Sequence, residues 1–299
     1  MKAKMMFLAS TISLYSLVLL GQVKKYDNSI FWEIRKTSSS SPSYILGSIH
    51  MMDTSQINFP INTFTHLIDQ CENICLEISG LTDSSLVANL AKNMILPSFE
   101  KNVTNSLDKN DYNKLTQMVD SSKYILKSCK PILGFIRPSV LSFIIVAEKQ
   151  LTGSILFKNV NFQPEKYFEQ YAKIKRYEIT QLETIEQQID LICMPNLAFD
   201  KSIEILKQSI DGFYVTDSID MLLNYRNQNL ALLKSEVYSD STMILRNIGM
   251  AEGIDNLIKE RPTFIIIGAA HLPYEHGVLN LLTKKGYIIK PYTINLNKV

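Results

Sequence analysis

Two histidines of this chain stand in the same short pattern: an aliphatic run, a glycine, two small or apolar residues, then histidine. The first is Leu46-Gly47-Ser48-Ile49-His50 and the second Ile267-Gly268-Ala269-Ala270-His271. Two further apolar runs end in carboxylates, Leu76-Glu77 and Leu182-Glu183. Imidazoles and carboxylates together suit two kinds of chemistry. They can hold a divalent ion while leaving one position for water, and they can move protons at a reacting bond. Taken singly, each residue has a plainer account. A histidine after a strand is usually hydrogen-bonded at a loop start, strand-end glutamates are usually solvated or cap a helix, and the glycines allow close backbone approach. The recurrence of the pattern sets His50 and His271 apart. Of the 4 histidines, the other two keep the plain account: His66 falls on a helical stretch with Asp69 as a surface partner, and His276 falls in a loop.

For these residues to meet, their strands must end at one edge of one sheet, because ligand crevices in open α/β sheets lie outside the carboxyl ends of the strands. Four β-branched or aliphatic runs read as buried strands: Tyr44 to Ile49, Asn73 to Ile78, Tyr177 to Leu182 and Thr263 to Ile267. Phe31 to Arg35 is expected to form a hairpin with the first, across the turn-prone Thr37-Ser38-Ser39-Ser40-Ser41-Pro42. Tyr287 to Ile294 reads as a closing strand. Elsewhere helix signals dominate. Asp83 can cap a helix running to about Ile95, and Asp108 another with Asp111 in its first turn. Pro138 and Pro164 suit first-turn positions, and Thr184 with Gln187 makes a capping box directly after the third strand. Gly277 to Lys285 is amphipathic and stopped by Gly286. The span 81–175 shows no convincing strand and is expected to be a helical insertion between sheet strands, within one α/β unit over residues 23–299.

Composition narrows the function. The 299 residues, 46% hydrophobic and 20% charged, can bury a large core. Thirty-one basic against 29 acidic side chains leave no footprint for nucleic acid or an acidic membrane. A peptide or small-molecule substrate at a local site is the partner to look for. Cys71, Cys75, Cys129 and Cys193 form neither a metal-binding pair nor a dense framework and read as buried thiols, with a disulfide optional in an oxidising compartment. At the start, Lys2 and Lys4 precede an uncharged run over residues 5–21, then Lys24 and Lys25. Residues 1–22 therefore read as an export signal, either removed or retained as a membrane anchor, and the main body as periplasmic or secreted.

Tyr44-Ile45-Leu46-Gly47-Ser48-Ile49-His50 resembles the opening motif of the TraB/GumN family, bacterial relatives of the Tiki proteases. The likeness continues through Leu76-Glu77, Leu182-Glu183-Thr184, Leu245-Arg246-Asn247 and Gly268-Ala269-Ala270-His271-Leu272-Pro273, so that it runs from Phe31 to Tyr292 with blocks in the family order. Tyr274 departs from it, since many relatives carry glycine there. The resemblance implies a mixed sheet flanked by helices, with both Gly-x-x-His histidines and the strand-end glutamate at the active site. It further implies the divalent-metal-dependent hydrolysis described for the Tiki proteases. On that chemistry His50, His271 and Glu77 are the expected ligands of a divalent ion of the Mn, Co or Zn class. Glu183 is a fourth ligand or general base, Arg246 offers a planar fork to a carboxylate or developing oxyanion, and Asn247 orients Arg246 or a water. The alternative is a protein that binds a peptide, haem or metal in the same pocket without turnover. A Ser-His-Asp hydrolase is disfavoured, because no Gly-x-Ser-x-Gly elbow is present.

Export is testable at once. Residues 1–40 fused to a reporter that works only in the periplasm are expected to make it active, and a reporter left inactive in the cytoplasm overturns the assignment. The size of the mature chain then separates cleavage from anchoring.

Overall fold

The computed structural model describes residues 29–50, 52–80, 91–97, 101–123, 125–153, 161–212, 221–230, 233 and 240–297. The segment read as an export signal and the cap at Asp83 lie outside them. Among the described residues, six strands form one mixed sheet: β1 (Phe31–Arg35), β2 (Ser43–Ser48), β3 (Asn73–Leu76), β4 (Glu178–Gln181), β5 (Phe264–Gly268) and β6 (Ile288–Pro291). Their order is β4-β3-β5-β2-β1-β6. Strands β2 to β5 are mutually parallel, so their carboxyl ends share one edge, while β1 runs antiparallel to β2 and β6. The two strands that carry the Gly-x-x-His motifs are direct neighbours.

Sequence chemistry explains the order. Phe264-Ile265-Ile266-Ile267 is apolar without alternation and entirely buried, as a strand covered on both faces requires. It takes a central place. The run from Tyr177 to Leu182, read from sequence as a buried strand, is instead an edge strand. Glu178 and Gln181 face solvent, and Tyr177, Ile179 and Leu182 pack against the core only in part. An apolar half-pattern fits an edge as well as an interior, which is why the distinction escapes the sequence. The expected hairpin of β1 with β2 is present.

The helices among the described residues include α1 (Ile61–Cys71), α2 (Lys109–Ser121), α3 (Pro138–Gly153), α4 (Pro164–Lys175), α5 (Ile185–Cys193), α6 (Phe199–Ile210), α7 (Met221–Arg226), α8 (Asp240–Glu260) and α9 (Val278–Lys284). Their starts follow the expected chemistry. The Asp108 carboxylate accepts from the N–H groups of Asn110 and Asp111, and both bonds of the Thr184–Gln187 capping box are made. Gly286, at φ +92°, follows the end of α9. On α1, His66 is exposed and contacts Gln70. Asp69, expected as its partner, instead accepts from the hydroxyls of Tyr171 and Tyr177.

Among the described residues, burial divides into two clusters. The first lies along the sheet and packs Phe31, Phe64, Phe168 and Phe264 together; the Phe31 and Phe64 rings meet edge to face with centroids 4.9 Å apart. It also holds Trp32, whose indole N–H donates to the Ser29 carbonyl. The second lies within the helical layer and joins residues of α2, α3, α5 and α6. The layer is thus assembled from both sides of β4 in sequence. Helix α4, which precedes β4, leaves the layer and packs Phe168 and Ala172 against the sheet. All four cysteines are buried and free.

Gly47 shows how tightly the two motifs meet. A Cβ there would lie 2.6 Å from Leu272 Cδ1 and 3.1 Å from the Ala269 Cα. Gly47→Ala is therefore expected to destabilise by about 1–3 kcal/mol in a denaturant titration, through overpacking. Gly249→Ala, on α8 where a Cβ meets nothing within 4 Å, is expected to stabilise by up to ~1 kcal/mol through helix propensity. Equal effects at the two sites would contradict the packing described.

A candidate active site at the carboxyl edge of the sheet

Backbone pairing continues past the strands and fixes the two glutamates. The Glu77 N–H donates to the Ile266 carbonyl at 2.9 Å, and the Glu183 N–H donates to the Glu77 carbonyl at 2.9 Å. Both side chains are buried. Arg246 reaches them from α8: its Nε lies 2.7 Å from Glu183 Oε1, and its Nη2 lies 2.9 Å from Glu183 Oε2 and 2.7 Å from Glu77 Oε1. With 13% of its side chain exposed, Arg246 is no helix-surface arginine. Gln188 on α5 adds a bond to Glu183 Oε2 at 2.5 Å and a longer one to Glu77 Oε1 at 3.4 Å. The Gly268 N–H donates to Glu77 Oε2 at 2.8 Å. Burial alone would push the Glu77 carboxyl up. His271, His50 and Arg246 outweigh it and hold the group well below the usual carboxylate range.

The two Gly-x-x-His motifs are staggered by one residue. In the β2–β5 register Ser48 is opposite Gly268, and Gly47 is opposite Ile267. Because successive residues of a strand face opposite sides, the two motif glycines face opposite sides of the sheet. A Cβ on Gly268 would meet Glu77 Oε2 at 3.2 Å and His271 Cδ2 at 3.4 Å, so this glycine makes room for the site. Gly47 instead makes room for the turn of the other motif. The histidines end in different surroundings to match. His271 is buried on a single 3-10 turn, whereas the His50 side chain is 70% exposed.

Each ring is held through Nδ1. His271 Nδ1 lies 2.6 Å from Asn247 Oδ1, and the Asn247 amide nitrogen donates to the His276 carbonyl at 2.9 Å. A carbonyl only accepts, so the amide orientation is forced and His271 Nδ1 carries the proton. Its Nε2 then faces Glu77 Oε1 at 3.7 Å. Asn247, expected to orient Arg246 or a water, orients His271 and the loop at His276. The His276 ring is exposed. His50 Nδ1 lies 3.0 Å from Glu165 Oε1, an oxygen that also accepts the Ser48 hydroxyl. The buried Tyr225 hydroxyl donates to the Gly47 carbonyl at 2.9 Å. The sequence reading gave no role to Glu165, Gln188 or Tyr225. Glu165 follows Pro164 in a first helical turn, where an acid already has a local explanation.

The structure thus brings Glu77, Glu183 and Arg246 into one bonded group, sets the bonded pair of Asn247 and His271 beside it, and places His50 close enough for its charge to act on Glu77. A divalent ion fits this arrangement poorly. Among the described residues no three His, Cys, Asp or Glu side chains are placed to hold one, and Arg246 lies on both carboxylates that would supply donors. The loop after His271 contains Tyr274 at φ +76°, the left-handed region that favours glycine.

The model of the TraB/PrgY/gumN family matches residues 30–291. No curated protein and no solved structure matches the chain.

Charge at His50 sets a pH dependence. The hydrogen bond to Glu165 raises its pKa to about 9. An unfolded histidine titrates near about 6.5. The pair's stabilisation is therefore complete below that pH and is lost as pH rises through about 9. Glu77 has the opposite sign: its depressed pKa stabilises above the ordinary carboxylate range, and the contribution is lost only in stronger acid. An NMR titration of the His50 ring is expected to show a midpoint near 9; a midpoint at about 6.5 would refute the pairing.

Proposed function

Because the chain belongs to the TraB/PrgY/gumN family, we propose that its strand-end cluster is a hydrolase site for an amide or ester bond of a peptide or small molecule. One observation carries the reading. Two histidines from matching motifs are each held at Nδ1 by a side-chain oxygen, which leaves Nε2 for chemistry, beside a half-buried arginine held between two carboxylates. A ring fixed in this way can accept and return a proton at a bond it faces. Arg246 brings a positive charge that fixes both carboxylates beside those rings. Glu77, held ionised, offsets that charge and is unsuited to donate a proton.

A divalent ion of the Mn, Co or Zn class enters the proposal only as a competitor of Arg246 for Glu77 and Glu183. The charged start and apolar run at residues 1–22 support action outside the cytoplasm, after export. The internal neutralisation of Arg246 by two carboxylates favours one second reading, a pocket that binds a peptide, haem or metal without turning it over.

Purified protein assayed against a fluorogenic peptide and ester library, with and without Mn²⁺, Co²⁺ or Zn²⁺, is expected to show turnover. His271→Ala and Glu77→Gln should reduce it by about 10²-fold or more, the scale of a lost proton-transfer or charge-stabilising group. His66→Ala and His276→Ala should stay near the parent. Equal activity in all four variants would sink the hydrolase reading, and tight ligand uptake without turnover in the parent would favour the binding reading.

A further inference from the structure

We propose that Glu165 is the positioning residue of His50: its carboxylate holds Nδ1–H and so fixes Nε2 as the working nitrogen of that ring. The inference rests on reading the strand-end cluster as the active site. An ionised carboxylate only accepts, so both groups on Glu165 Oε1, the Ser48 hydroxyl and His50 Nδ1, are its donors. Two residues of one Gly-x-x-His motif are therefore gripped by a single oxygen.

That oxygen belongs to a rigid element. Glu165 occupies the first turn of α4, where the helix N-terminus favours negative charge, and α4 is fixed to the sheet by the fully buried Phe168 and Ala172. The Glu165 side chain is 16% exposed while that of His50 is 70% exposed. A chance surface pair joins two exposed, mobile groups and contributes little. Here the carboxylate is the fixed partner, and the ring projects from it with Nε2 free of the anchor. The same arrangement recurs at His271, whose Nδ1 is held by Asn247. Two different side chains, from two different helices, thus hold both motif histidines at the same ring nitrogen, Nδ1. A carboxylate behind an imidazole also sets its tautomer and ring direction in ligand sites generally.

The test uses the full chain with ¹⁵N-labelled histidine, the His50 signals being identified by their loss in His50→Asn. Spectra are recorded where the rings are neutral. In the parent, His50 should carry its proton on Nδ1. Glu165→Ala, and the volume-keeping Glu165→Met, remove the acceptor and should return the proton to Nε2, the form favoured by free imidazole. Glu165→Gln, which keeps an acceptor oxygen, should restore the Nδ1–H form. If Glu165→Ala fails to fold, Glu165→Met decides. An unchanged His50 tautomer in the acceptor-less variants overturns the proposal. Turnover of the peptide and ester library by the parent separates it from the function reading: no turnover in the parent fails that reading, while the tautomer of His50 alone judges Glu165.

Discussion

The rest of the site depends on the Arg246 guanidinium held between Glu77 and Glu183. Two carboxylates buried at adjacent strand ends would each cost several kcal/mol if left unpaired. One planar fork, bidentate to Glu183 and singly bonded to Glu77, removes that cost. It also ties the ends of β3 and β4 to α8. Thr184, next after Glu183, caps α5, and α5 returns Gln188 to the same two carboxylates. Asn247, next after Arg246, locks His271. Strand ends, helix starts and the buried imidazole are thereby placed by one charge arrangement, whose loss would leave buried anions and not a simple cavity.

Against this fixed centre, the repeated motif is used asymmetrically. The one-residue stagger between β2 and β5 gives the same four-residue pattern two environments. Gly268 opens space for a carboxylate and donates its N–H to it; Gly47 opens space for backbone and for Leu272. His271 is enclosed beside Glu77, and His50 stands at the rim. Repetition in sequence thus produced one interior group and one solvent-facing group, each with its own anchor.

Much of this was legible in the sequence. The β1–β2 hairpin, the caps at Asp108 and Thr184 and the stop at Gly286 are set by neighbouring residues, so local patterns reveal them. The convergence of Glu77, Glu183 and His271 could be read because strand ends in a parallel sheet share an edge. What escaped depends on the path of the chain in space. Glu165 meets His50 across 115 positions, and its place behind Pro164 offered a sufficient local reason for an acid. Asn247 has polar atoms suited to many partners, and only the packing of α8 beside the 269–277 turn selects His271. The membership of α5 and α6 in the helical layer, and of α4 in the sheet core, turns on which apolar face finds which neighbour. Tyr274 was visible as a departure, but the reason it matters, a left-handed backbone costing on the order of 1 kcal/mol for a residue with a Cβ, is a property of the folded turn.

The two burial clusters give unequal weight to the chain's single tryptophan. Trp32 lies in β1, within the sheet cluster, its indole bonded to Ser29. Its fluorescence reports on the sheet and is blind to the packing among α2, α3, α5 and α6. Far-ultraviolet dichroism, dominated by helices, weighs that second cluster heavily. Superposable unfolding curves from the two signals would mean that the layers melt as one cooperative unit, and separated curves that the helical layer can loosen while the sheet edge holding Arg246 stays intact.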